Sequence, residues 1–295
     1  MKRLLLLILA CGTSTLLADK GKTSAPQYPT TVRVETDVSY LPDGRTEKAD
    51  LYFPKDMPAG KRVPAIIIIH GGGFNDGDKA KSRELVFGEQ IALHGFVSMS
   101  INYKLRKMKD QVTWPQCLHD AKTAVRWLRV NADKLGIDSE RIAVVGSSAG
   151  GNLAAMLATT GEADGLEPAE PHAGVSTRVC CAVDFYGAVD LINYHDVKMF
   201  AKTRVEAPEL YAKASPVTYV DAKDAPILML HGTKDETVPL SQSETLAAKC
   251  KVAGLEHQLE IVPGAPHTFA LVSPARDFRP LVFSFLDKHL HLQQK

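Results

Sequence analysis

The chain has 295 residues, of which 45% are hydrophobic and 23% are charged, a composition typical of a globular protein with one large domain. The 35 lysines and arginines nearly balance the 34 aspartates and glutamates, which gives a formal net charge of +1. Because the chain has neither a basic excess nor a long run of one charge, the sequence argues against nucleic acid as a partner.

The N-terminal residues form a segment of their own. Lys2 and Arg3 precede an apolar stretch that is too short and too interrupted by Gly, Thr and Ser to cross a bilayer. We interpret residues 1–18 as a secretory signal peptide and 19–29 as a polar tether, and we expect an exported protein, periplasmic or secreted. Two alternatives stay open: an uncleaved membrane anchor, and a lipid on Cys11 in the lipobox-like "ILAC".

The rest of the chain, residues 30–295, alternates between strand-like and helix-like segments. The stretches "TVRVETDVSY" and "EKADLYFP" alternate apolar and polar residues around the turn signature "LPDGR", and predict an antiparallel pair. Continuous apolar runs then predict strands buried on both faces of a sheet, at 65–70, 96–103, 141–146, 179–187, 226–232 and 258–264. Helices are predicted at 80–93, 116–134, 149–159, 241–253 and 277–290.

This alternation predicts an α/β fold in which helices cover both faces of a mostly parallel central sheet. The active sites of such folds lie at the carboxyl ends of the strands. Residues 188–218 fit neither a strand nor a helix pattern, and we expect them to pass over that end of the sheet. The sequence contains no internal repeat and no linker to a second domain, so a single α/β domain over 30–295 is predicted.

The most specific motif is "GSSAG" at 146–150. Gly146 and Gly150 flank Ser148 at the spacing G-x-S-x-G, between the strand-like "RIAVV" and the helix-like "GNLAAMLATT". This context predicts a sharp strand-to-helix turn that exposes the serine hydroxyl at the helix N-terminus. We therefore predict Ser148 as the nucleophile, whereas Ser147 lacks paired glycines at the same spacing and is the weaker candidate.

A serine hydroxyl needs a base to take its proton and a carboxylate to orient that base. In the chain order nucleophile, acid, histidine, His267 follows the strand-like "QLEIV" in the loop "PGAPHTF" and is the predicted base. Asp235, after the preceding strand in "HGTKDETVP", is the predicted acid, and Asp190, one strand earlier, is the alternative. The other downstream histidines are expected on the surface: His257, His289 and His291.

A second glycine cluster, "HGGGF" at 70–74, follows a run of four isoleucines. Glycines let the backbone approach a ligand closely, so the N–H groups of Gly72 and Gly73 are predicted oxyanion donors together with that of Ala149. We expect His70 to organise this loop by hydrogen bonding rather than to transfer a proton. The alternative is a flexible loop without a catalytic role.

No motif indicates a metal or a cofactor. The sequence has no HExxH, no CxxC and no paired Cys/His spacing, so neither a metal nor a cofactor is expected. Cys117, Cys180, Cys181 and Cys250 would remain after signal removal; their even number allows disulfides, although buried free thiols are the preferred interpretation.

Together, "HGGGF", "INYKL", "GSSAGGNLAA", "HGTKDETVP" and "PGAPHTF" resemble the α/β-hydrolase superfamily. Within it the chain is most similar to hormone-sensitive-lipase-like esterases and to bacterial feruloyl and acetyl-xylan esterases, over roughly residues 45–290. The resemblance implies a cofactor-free serine ester hydrolase with Ser148, Asp235 and His267 as its triad. Because little sequence precedes the first strand, a small or absent cap is expected.

The resemblance leaves three functions in competition. The first is an exported carboxylesterase that forms an acyl-enzyme and acts on acetyl or feruloyl esters, either small molecules or groups linked to plant-type polysaccharides. The second is a serine peptidase of the prolyl-oligopeptidase type, which shares the triad but usually carries a large additional domain. The third is a catalytically silent binding module on the same fold. The acyl chain length, the alcohol part and the oligomeric state are not predicted.

Overall fold

A computed structural model describes residues 25–57, 60–273 and 276–291. The predicted signal peptide, most of the tether and Cys11 lie outside the described residues, so those predictions stay as they are. The strands are β1 Arg33–Val38, β2 Ala49–Phe53, β3 Val63–Ile69, β4 Val97–Ile101, β5 Ile137–Ser147, β6 Ala182–Phe185, β7 Ile227–Lys234 and β8 His257–Pro266. The helices are α1 Ser82–Leu93, α2 Gln116–Val130, α3 Ala132–Leu135, α4 Ala149–Thr159, α5 Pro208–Lys213, α6 Ser241–Ala253 and α7 Arg279–His291.

The eight strands form one sheet in the order β1-β2-β4-β3-β5-β6-β7-β8. β1, β2 and β4 pair antiparallel, and every pairing from β4 through β8 is parallel. The predicted α/β architecture is confirmed, as are the antiparallel first pair and the six parallel strands. Parallel strands place their carboxyl ends at one edge, where the loops after β3, β5, β7 and β8 meet.

Alternation along the central strands divides the core into two layers. Ile67 and Ile69 of β3 pack into a cluster with residues of α2 and α4, whereas Ile66 and Ile68 join a second cluster with residues of α1 and α7. All four side chains are at most 1% exposed, and burial of each contributes about 1.5–3 kcal/mol. The run of isoleucines is therefore buried on both faces of the sheet, as is typical of a central parallel strand.

Two local predictions were wrong. The strand predicted at 258–264 is not buried on both faces, because β8 is the last strand of the sheet and most of its residues are exposed or half-buried. The single helix predicted over 116–134 is two helices, because α2 ends at Val130 and the short α3 begins at Ala132.

Residues 188–218 contain little regular structure beyond α5 and a 3-10 turn at Pro216–Thr218. Residues 194–198 of this segment line the cavity that opens beside the carboxyl ends of β3 and β5, as expected of a segment that passes over that edge. In the described part of the chain, no helix has the length and apolar character needed to cross a membrane.

Candidate active site

The two glycine clusters lie next to each other because β3 and β5 are neighbours. Ile69 pairs with Gly146 in the register of these strands, so the loop after β3 and the turn after β5 leave the sheet side by side. A side chain on Gly150 would overlap the backbone oxygen of Ile69, and one on Gly146 would overlap that of Gly150. The glycines of "GSSAG" are therefore required by close backbone approach.

Ser148 lies on the predicted sharp turn. Its backbone has φ 55° and ψ −118°, outside the regions that non-glycine residues normally occupy, and its N–H donates to the Phe185 oxygen at 2.8 Å. Ala149 is the first residue of α4, so its N–H has no acceptor within the helix. The turn thus exposes both the Ser148 hydroxyl and an amide donor to the cavity, which both residues line.

The register of β7 and β8 brings the predicted acid and base together. Lys234, the last residue of β7, pairs with Pro266, the last residue of β8. Asp235 directly follows Lys234, and His267 directly follows Pro266. His267 Nδ1 lies 2.7 Å from Asp235 Oδ2, and His267 Nε2 lies 3.0 Å from Ser148 Oγ. Because an ionised carboxylate only accepts hydrogen bonds, Nδ1–H donates to Asp235 and Nε2 accepts from the serine hydroxyl.

Backbone amides and a second histidine fix the acid. Asp235 Oδ1 accepts the N–H groups of Thr237 at 2.9 Å and Val238 at 2.8 Å, and its side chain is fully buried. His231 Nε2 donates to the Val238 oxygen at 2.8 Å and lies 3.4 Å from Asp235 Oδ2. These contacts hold Oδ2 in the direction of His267.

The alternative residues lie elsewhere. Asp190 accepts the backbone and side-chain N–H groups of Asn193 and has no contact with His267. His257 Nδ1 lies against the Leu255 oxygen. His289, which was expected on the surface, is buried instead because it packs on Phe285 of the same helix. Only Asp235 among these acids reaches a histidine that faces the predicted nucleophile, while the side chain of His291 lies outside the described residues.

Hydrogen bonds organise the loop "HGGGF". His70 is buried, stacks on Tyr103 with 4.5 Å between ring centroids, and donates from Nδ1 to the Gly71 oxygen at 2.7 Å. The Tyr103 hydroxyl donates to the His70 oxygen at 3.0 Å. Burial lowers the pKa of His70 to about 4, so its imidazole is neutral near pH 7 and holds the loop rather than carrying a charge.

The predicted oxyanion donors line the cavity. Gly72 has φ 122° and Gly73 has φ 59°, values that favour glycine, and a side chain on Gly72 would overlap the backbone of Asp76. The Gly72 oxygen accepts the N–H groups of Asn75 and Asp76, so this carbonyl is committed to the turn itself. In the described part of the chain, no protein acceptor takes the N–H of either glycine.

The cavity has a volume of about 380 Å³ and contains side chains that the sequence did not single out. Tyr194 donates its hydroxyl to the Thr237 oxygen at 2.7 Å, which ties the 188–218 segment to the loop of Asp235. Tyr186 does not line the cavity itself, but it is buried next to it and contacts the His267 ring at 4.7 Å between centroids. Arg83, at the start of α1, also lines the cavity. No local motif marks these residues, because distant elements bring them to the site.

Three of the four cysteines match the preference for buried free thiols. Cys117, Cys181 and Cys250 are buried free thiols, as preferred from the sequence, and the Cys180 thiol lies 2.9 Å from the Glu140 oxygen. Over 25–57, 60–273 and 276–291, no three Asp, Glu, His or Cys side chains converge as metal ligands would.

Asp184 is a buried carboxyl directly behind the nucleophile turn. It lies on β6 beside Gly146, its Oδ1 accepts the Gly187 N–H at 2.8 Å, and no group in the described chain contacts Oδ2 by hydrogen bonding. Burial raises the pKa of Asp184 from 3.8 to about 7. In the folded state the protonated carboxyl is therefore favoured below about pH 7.

This raised pKa predicts that the isosteric Asp184→Asn substitution stabilises the folded protein, by an amount that depends on pH. Between pH 4 and pH 7 the unfolded chain releases this proton and the folded chain keeps it, so wild-type stability falls as pH rises, by about 2–4 kcal/mol in full. The loss is complete about one pH unit above the folded-state pKa, near pH 8, and is constant at higher pH. We expect the difference in Tm between the Asn variant and wild type to grow from pH 5 to pH 8 in thermal unfolding; a difference independent of pH would contradict the assignment.

The fold and the site together define an α/β-hydrolase: the serine turn, the acid and the histidine follow β5, β7 and β8 in the order typical of that fold. The BD-FAE family matches residues 49–250, well over half of the chain, and the chain belongs to this family.

Individual relatives agree with this assignment. The chain is similar to the esterase LipQ of Mycobacterium tuberculosis, with 32% identity over 252 residues that cover 82% of this chain and 58% of LipQ. It is 31% identical over 263 residues to ethyl acetate hydrolase of Pseudomonas putida, covering 84% of this chain and 80% of that protein. It therefore spans about three fifths of the length of the mycobacterial relative.

A solved structure extends the likeness to most of the chain. A truncated carbohydrate esterase from gut microbiota superposes with a TM-score of 0.80 at 26% identity, covering 90% of this chain and 99% of that chain. The fold found here is thus shared with an esterase of nearly the same extent.

Proposed function

We propose that the protein is a serine carboxylic-ester hydrolase that works through an acyl-enzyme intermediate. The single observation that carries the proposal is the continuous hydrogen-bonded series Ser148 Oγ, His267 Nε2, His267 Nδ1, Asp235 Oδ2, with distances of 3.0 and 2.7 Å. This is the arrangement in which a serine hydroxyl becomes a nucleophile at neutral pH.

The first half-reaction forms the acyl-enzyme. Ser148 Oγ attacks the ester carbonyl carbon while His267 Nε2 takes the hydroxyl proton, and Asp235 stabilises the imidazolium. The carbonyl oxygen becomes an oxyanion that accepts the N–H groups of Gly72, Gly73 and Ala149, which lie preorganised at the cavity wall. When the carbon–oxygen bond to the alcohol breaks, His267 gives its proton to the leaving alcohol.

Water completes the cycle. His267 takes a proton from a water molecule that attacks the acyl carbonyl, the same donors stabilise the second oxyanion, and Ser148 recovers its proton when the carboxylic acid leaves. No residue outside this group is needed to move a proton. The peptidase and the binding-module alternatives are supported by no specific contact in the described chain.

The proposed substrates are short acyl esters, acetyl above all, or feruloyl esters of small molecules or carbohydrates. The cavity volume of about 380 Å³ suits a small acyl group or one aromatic ring. The likeness to ethyl acetate hydrolase and to a carbohydrate esterase supports the same choice.

The test is hydrolysis by the chain from residue 19. Acid release is followed at neutral pH from p-nitrophenyl acetate, p-nitrophenyl octanoate, methyl ferulate and acetylated xylan, and a quenched reaction is digested to find the acetyl group on the Ser148 peptide. We expect turnover of at least one acetyl or feruloyl ester and acetylation of Ser148. Cleavage of peptide amides with no ester preference would favour the peptidase alternative.

We also propose that the protein is exported. The basic and apolar N-terminal sequence that ends near Ala18 supports this proposal. Expression of the whole chain in a Gram-negative host followed by N-terminal sequencing is expected to give a mature chain that begins at Asp19, whereas a retained Met1 would contradict export by cleavage. A chain that begins at a lipid-modified Cys11 would favour the lipoprotein alternative.

A further inference from the structure

An arginine side chain lies at the cavity wall beside both halves of the catalytic pair. Arg83 Nη1 lies 3.2 Å from the Ser147 hydroxyl, next to the nucleophile, and Nη2 lies 3.4 Å from the Thr268 oxygen, next to the histidine. The guanidinium carbon is 5.9 Å from the Tyr186 ring centroid. These contacts hold the guanidinium in place at the cavity wall.

The positive charge of Arg83 has no counterion in the described part of the chain. Its contacts are a hydroxyl, a carbonyl and an aromatic ring, which are all neutral. Its neighbour Glu84 is buried, and burial raises the pKa of Glu84 to about 7, so this carboxyl carries at most part of a charge at neutral pH.

The other charged side chains around the cavity do not neutralise it. Asp196 accepts the backbone N–H of Arg204 at 2.9 Å and lies 4.0 Å from its guanidinium, and Lys198 adds a further exposed positive charge. Asp235 faces His267, with its side chain fully buried. An anionic group in the cavity would thus meet uncompensated positive charge.

We propose that Arg83 is a specificity-determining residue that binds a carboxylate carried by the ester substrate. The inference rests on the proposed ester hydrolysis and names its substrate class: esters that carry a free carboxylate close to the scissile carbonyl. A guanidinium has five N–H donors in a planar fork that matches a carboxylate, and the two protein acceptors leave donors available for it. The carboxylate comes from a dicarboxylic acyl group or from an acidic alcohol, such as an acetylated uronic acid.

Two matched substrate pairs separate these sources. Mono-p-nitrophenyl glutarate and p-nitrophenyl pentanoate place the charge on the acyl side, whereas 4-acetoxybenzoate and its methyl ester place it on the alcohol side. We expect wild type to favour the charged member of one pair in kcat/KM by about tenfold or more. Arg83→Gln is expected to lower kcat/KM for that member by about 10- to 100-fold, with less than about threefold change for the neutral one. Arg83→Lys is expected to restore part of the preference.

Lys134→Gln is the matched control, because it removes one exposed positive charge at the opposite end of the sheet, just before β5 begins. It is expected to leave the preference unchanged. An equal loss on both members of each pair in Arg83→Gln, or no preference in wild type, would overturn this inference and leave ester hydrolysis intact. If wild type hydrolysed none of these four esters and did not hydrolyse p-nitrophenyl acetate either, the proposed function and the inference would both be overturned.

Discussion

Substitution of Ser148 by alanine is expected to lower kcat/KM for p-nitrophenyl acetate by about 10⁴- to 10⁶-fold. The reason is that Ser148 Oγ is the only oxygen within hydrogen-bond distance of His267 Nε2 in the described chain, so no other group can accept the acyl chain there. Alanine keeps the same Cβ at the same φ of 55°, so the fold is expected to persist. Steady-state rates with thermal unfolding of both proteins check this expectation.

The neighbouring serine provides a matched control. Ser147 lies one residue earlier on the same turn, and its hydroxyl contacts Arg83 rather than a histidine. Ser147→Ala is expected to keep kcat/KM for this neutral ester within about tenfold of wild type. Equal losses in the two variants would mean that the turn, not the Ser148 hydroxyl, limits the rate.

The sequence singled out the three residues that the structure brings within hydrogen-bond distance because each of them is marked by local context. A G-x-S-x-G turn between a strand and a helix, and two loops after apolar strands, identify Ser148, Asp235 and His267 without knowledge of the sheet order. The distances between them depend on the pairing of β7 with β8, which the linear pattern does not contain. The pattern therefore predicts the residues, and the register explains why they meet.

What the sequence did not predict depends on contacts between distant elements. β8 reads as a buried strand from its apolar residues, but its place at the edge of the sheet leaves one side without a neighbouring strand. Arg83 and Tyr194 carry no motif, and reach the cavity only because α1 and the 188–218 segment lie beside it. Asp184 reads as an ordinary polar residue until its burial behind the nucleophile turn is known.

Asp235→Asn is expected to lower kcat by about 10⁴-fold with the fold intact. Oδ1 accepts two backbone N–H groups, from Thr237 and Val238, so the amide oxygen of an asparagine must take that position. Its NH₂ group then faces His267 Nδ1, which must lose its proton to accept. The imidazole is left with its proton on Nε2, facing Ser148, and can no longer take the serine proton.

Asp190→Asn is the matched control, because Asp190 is the alternative acid and contacts Asn193 instead of a histidine. Its kcat is expected to stay within about tenfold of wild type, measured with p-nitrophenyl acetate across pH 6–9. If the two variants lost activity equally, or if Asp235→Asn kept it, the acid would be assigned wrongly. Asp235→Ala leaves no group that holds His267 in the wrong tautomer, so it is expected to retain at least as much activity as Asp235→Asn.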